Sequence, residues 1–118
     1  MSIETTYRLR TAVDIKVKLE KLLYGLFTRF PPLISISEGI EYRDLVYEFT
    51  TRWSYAEEFE ETLVSLFDDK QGFIWVDTET SDTVVVSLYN KGKLRNVKEF
   101  DKEFLILKGV NNVWRNVL

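Results

Sequence analysis

The chain contains neither cysteine nor histidine. Without thiols there is no disulfide framework, no thiolate nucleophile, no redox dithiol and no thiolate-bound zinc. Without imidazole there is no general base of that kind, no Ser-His-Asp triad and no histidine-ligated metal. A hard cation held by carboxylates is the one metal chemistry left open. The only prolines are the adjacent pair Pro31-Pro32, which marks a break between two elements and not a domain boundary. The five glycines, at 25, 39, 72, 92 and 109, have neither Walker nor dinucleotide spacing, and no Gly-x-Ser-x-Gly elbow occurs. The longest apolar run, Leu22 to Phe27, is six residues, far short of a membrane span. The opening Met1-Ser2-Ile3-Glu4 carries an early acid with no signal-type apolar run behind it, so no signal peptide is expected.

What is present is enough for a core. Of 118 residues, 45% are apolar, and eight Phe, six Tyr and three Trp supply bulk, so the chain reads as one domain over 1–118 that folds without staples. Charged residues, 30% of the total, are mixed with apolar ones, unlike a disordered chain.

The net charge of −3 hides a pattern. Residues 1–37 carry six basic and three acidic groups, residues 38–82 three and thirteen, and residues 83–118 seven and three, giving +3, −10 and +4. If folding gathers the two basic ends, one face is positive and the other negative, a surface suited to docking on a partner of opposite pattern or on another copy.

Residues 7–20 carry two periods. Tyr7, Leu9, Thr11, Val13, Ile15, Val17 and Leu19 alternate with polar neighbours, as in a strand. Ala12, Ile15, Leu19, Leu22, Leu23, Leu26 and Phe30 follow a helical period, with a cap-like Thr11 and Asp14. The helical phase persists longer, so a helix over 11–29 is expected, the alternative being a strand that runs into a shorter helix. Leu33–Ser37 then reads as a short strand, Glu38-Gly39 as a turn, and Arg43–Trp53 as a longer strand with Leu45, Tyr47, Phe49, Thr51 and Trp53 on one face. Ser54 and Glu57 form a capping box for a second helix with Ala56, Phe59, Leu63, Leu66 and Phe67 as its buried stripe and Gly72 beyond its end. Phe73–Glu79 and Thr83–Tyr89 read as a hairpin, and Asn90-Lys91-Gly92 as another turn. Leu94, Val97 and Phe100 suggest a helix, Phe104–Leu107 a buried strand, and Val110, Val113, Trp114, Val117 and Leu118 a short amphipathic helix. The expected fold is α+β: an antiparallel sheet of four to five strands with two main helices on one face and a short C-terminal helix.

Two acidic groups merit a chemical test. Glu57, Glu58, Glu60 and Glu61 crowd the first turns of a helix, where the dipole favours negative charge without any cation. Asp77 and Glu79, on one face of a strand, could share Mg²⁺ in a phosphodiester-cleaving enzyme, but an acid-x-Lys pattern fails because position 81 is Ser. Phe73 and Trp75 could stack on bases, yet they lie in the acidic middle, which argues against nucleic-acid partners. No cofactor is implied.

These absences point away from catalysis and toward a protein-interaction or assembly module whose partner is itself or another chain. One version is a self-associating structural or accessory component of a virus or mobile element, working in the cytoplasm or the virion. Its expected contacts are Val113, Trp114 and Val117 as apolar anchors, Glu57, Glu58 and Glu61 as a negative surface, and Lys91, Lys93 and Arg95 as a positive one. The alternative for the C-terminal segment is packing on the chain's own core. The alternative function is an inhibitor whose acidic surface imitates a phosphate backbone and occupies a nucleic-acid-binding protein.

Overall fold

A computed structural model describes residues 3–26, 36–41, 43–52, 57–108 and 110–118. Among the described residues six strands form one antiparallel sheet: β1 (Thr5–Thr11), β2 (Ser37–Glu41), β3 (Asp44–Thr51), β4 (Gly72–Thr78), β5 (Thr83–Asn90) and β6 (Lys93–Asp101), in the order β2-β3-β1-β4-β5-β6. The helices are α1 (Lys16–Leu26), α2 (Glu57–Val64), α3 (Lys102–Lys108) and α4 (Val110–Val117), with a 3₁₀ turn at Ser65–Phe67. The α+β class and the antiparallel sheet match the expectation, and the strand number exceeds it because β1 and β6 arise where helical periods were favoured.

At the N-terminus the alternative reading holds. Tyr7 pairs with Phe49 on one side and Val76 on the other, so β1 is paired along both edges. That pairing recruits the alternating half of residues 7–20, and the helical half begins only at Lys16. The helix cap is real but displaced: Asp14 Oδ1 accepts the Lys16 N–H at 3.1 Å, whereas the Thr11 hydroxyl donates to the Gln71 carbonyl. Asp14 also accepts the Tyr47 hydroxyl, which fixes the start of α1 over β3.

The sheet is covered on both faces. On one, Ile15 just ahead of α1, Leu19 and Leu23 of α1 and Phe59, Leu63 and Val64 of α2 pack with Tyr7, Leu9, Tyr47, Phe49, Ile74 and Val76. Tyr7 stacks on Phe49 and meets the edge of Phe59. On the other, Val113, Trp114 and Val117 of α4 pack with Phe73, Trp75, Val84 and Val86. Sandwiching explains why β4 is buried continuously from Gly72 to Val76, since each side of its pleat faces a core.

Several boundaries move. Glu38 and Gly39 are not a turn; they pair with Tyr47 and Val46 in β2, and the chain reverses between Glu41 and Asp44. Gly72 does not end a helix. The left-handed backbone there belongs to Asp68 (φ 53°), and Gly72 opens β4 because an added Cβ would lie 2.4 Å from the Phe67 ring. Residues 93–101 are strand and 102–108 helix, the reverse of the expectation. Positive φ at Lys91 (53°) and Gly92 (73°) makes a two-residue hairpin turn that delivers Lys93 opposite Asn90 and zips β6 along β5. The expected strand residues 33–35, the strand end at Trp53, Ser54 of the capping box, Ala56 of the buried stripe, and residues 27–29 of the first helix lie outside the described residues.

Candidate interaction surface

The segregated charges meet one another inside the fold. Five ion pairs join described residues: Arg8–Glu48 (2.6 Å), Arg10–Asp44 (3.0 Å), Lys16–Glu38 (2.8 Å), Lys18–Asp68 (3.0 Å) and Lys102–Asp77 (2.9 Å). Each joins a basic end of the sequence to its acidic middle. The topology dictates this, because β1 lies between β3 and β4, both drawn from the middle segment. The expected split into one positive and one negative face is therefore reduced by internal pairing. The Glu38 hydrogen bond holds the Lys16 ammonium above its ordinary pKa, an exposed contact of little energetic weight.

Arg8 and Arg10 point to the face that α4 covers, and aromatic rings finish their burial. The Arg8 guanidinium lies 4.9 Å from the centre of the Trp75 ring, and that of Arg10 lies 5.6 Å and 5.8 Å from the Phe73 and Trp114 rings. Each cation sits between a carboxylate on β3 and an aromatic on β4, so these arginines serve as sheet mortar and not as a phosphate-binding stripe.

Val113, Trp114 and Val117, the expected anchors, are fully buried in the chain's own second core. The Trp114 ring is tilted against Trp75 at 5.5 Å and meets Phe73 edge-on. Their apolar surface is consumed within the chain, which corrects their placement at a surface. The α2 acids divide. Glu57, Glu58 and Glu61 are exposed, whereas Glu60 turns inward and accepts the Tyr89 hydroxyl at 2.7 Å. That bond ties the acidic helix to the strand leading into the basic turn, so the negative and positive sets sit on neighbouring elements.

Lys91, Lys93 and Arg95 are exposed at the β5–β6 turn and, with Lys98, form no ion pair among the described residues. Beside them Leu94 and Val97 are about half exposed, at 52% and 49%. Sequence periodicity hid this patch, because a helical reading sends Leu94, Val97 and Phe100 together into a core. In the strand, Val97 lies opposite Ser87 and Phe100 opposite Val84, on opposite faces. Phe100 goes to the α4 side, and Val97 is left outside.

The two carboxylates of the Mg²⁺ reading are engaged within the fold. Asp77 is held by Lys102, whose ammonium also donates to the Thr78 carbonyl. Glu79 lies past the end of β4 and accepts the Glu4 backbone N–H at 3.4 Å. Among the described residues no group of three or more carboxylates is placed to hold a metal ion, and no helix is long and apolar enough to cross a membrane. Compared with known proteins, the chain matches no family model, no curated protein and no solved structure.

Proposed function

We propose that this chain is a non-enzymatic protein-interaction or assembly module that docks through the outer surface of the β5–β6 hairpin. The carrying observation is contrast. Five basic groups from the two ends of the chain are matched with carboxylates within the fold, while the hairpin sets Lys91, Lys93, Arg95 and Lys98, which form no ion pair among the described residues, around exposed Leu94 and Val97. Apolar centre and charged rim is the ordinary composition of a docking patch. A self-associating structural or accessory role in a virus or mobile element, in the cytoplasm or the virion, belongs to the same proposal.

An acidic phosphate mimic has weaker support, since Glu38, Asp44, Glu48, Asp68 and Asp77 are each engaged by a cation of the same chain. The test compares the native chain with a Lys91→Glu/Lys93→Glu variant of unchanged circular dichroism. The reading expects complexes of the native chain, self-made or with another protein, that weaken with salt and in the variant. Identical mass and identical retained proteins for both would overturn it.

A further inference from the structure

We infer that β6 pairs with the β6 of a second copy, antiparallel about a two-fold axis at Val97. This rests on the interaction reading and names its partner. β6 is a nine-residue strand at the end of the sheet order, and among the described residues no strand pairs with its outer edge. Such an edge is a template for another strand.

The sequence of that edge is complementary to itself. With Val97 opposite Val97 of the second copy, antiparallel register sets Asn96 opposite Lys98 and Arg95 opposite Glu99, each twice by symmetry. Opposite charges directly across a strand pair stabilise it, and like charges there destabilise it. Shifting the centre by one residue to Lys98 would oppose Lys98 to itself, and shifting it to Asn96 would set Arg95 opposite Val97 and lose the Arg95–Glu99 pair, so the Val97 centre is the one that joins that pair and the two valines. Val97 is on the face away from α4, opposite Ser87, where two copies would bring their half-exposed valines together.

The extent of pairing is limited by a bulge. Asn96 lies opposite Leu88 and Leu94 opposite Tyr89, which leaves Arg95 without a residue across from it on β5. The regular stretch is therefore 96–101, and Arg95, at the bulge, marks where the pairing of the two copies ends. Asn96 also guards the edge in the single chain: its Oδ1 accepts the Val97 N–H at 2.9 Å, and its Nδ2 donates to the Val117 carbonyl. Pairing must compete with that bond, which weakens the dimer, and an isologous pair closes at two copies.

Sedimentation equilibrium of the full chain, to about 1 mM, tests this. The native chain is expected to reach twice 14.0 kDa. Arg95→Glu alone and Glu99→Arg alone each oppose like charges at two symmetric positions and should weaken the dimer roughly tenfold. The double variant should recover it, and an equimolar mixture of the two single variants should form a mixed dimer. A native chain that stays monomeric overturns self-pairing and leaves the interaction reading to a different protein. A native dimer indifferent to all three variants overturns this register while self-association stands.

Discussion

Tyr7 shows how one side chain in the core can oppose the rest. It is fully buried, stacked on Phe49, and its hydroxyl has no hydrogen-bond partner among the described residues. Burial first, and the nearby Glu60 carboxylate second, push its phenol up from 10.0 to about 12. The unfolded chain loses that proton first, so between those values the folded state holds more protons. The associated stability is complete below pH 10 and is lost as pH rises toward about 12. Tyr7→Phe keeps the ring and removes an unsatisfied hydroxyl. It is expected to raise stability by about 1 kcal/mol at neutral pH and to flatten the alkaline loss. Urea midpoints at neutral and alkaline pH check both; a destabilised variant would show that the hydroxyl has a partner after all.

At the scale of elements, α4 decides whether the C-terminus is structural. Its Val113, Trp114 and Val117 close the second core over β4 and β5, and Asn96 of β6 bonds to the Val117 carbonyl near its end. Trp114→Ala would open a large void under α4, and a loss of about 3–5 kcal/mol is expected. Thermal melts with light scattering separate this from an interface role. A core residue lowers the melting temperature of the folded species without changing its mass, whereas an anchor changes the mass first. The same scale explains the exchange of strand and helix in residues 93–108. Leu94, Val97 and Phe100 are spaced three apart, which favours a helix over a strand. The Lys91-Gly92 turn overrides that spacing, because a tight hairpin leaves its second arm beside the first.

At the scale of the whole molecule, the central position of β1 organises everything else. This strand lies between β3 and β4, contributed from the acidic middle, and its arginines pair with carboxylates of β3. The helices α1 and α2 close one face and α4 the other, so neither half of the sheet is self-sufficient. Deleting residues 102–118 would uncover Phe73, Trp75, Val84 and Val86 on one contiguous face. The shortened chain is expected to aggregate or to bind a hydrophobic dye strongly, and a soluble 1–101 fragment with a cooperative melt would contradict the two-core account.

The sequence by itself determined the α+β class, the β4–β5 hairpin, the buried stripe of α2 and the amphipathic C-terminal helix. In each, apolar spacing and turn residues agree on one local answer. It did not determine the strand at 5–11, the strand at 93–101 or the second core. These rest on which neighbours a strand finds across the sheet, and no period within a short segment encodes that. The interaction patch follows the same division. The positive charge of Lys91, Lys93 and Arg95 is plain in the sequence, whereas the exposure of Leu94 and Val97 exists only because β6 is an edge strand. Trp114 is the converse case: its size and neighbours mark an anchor in the sequence, and the sheet face beneath α4 decides that it anchors the chain to itself.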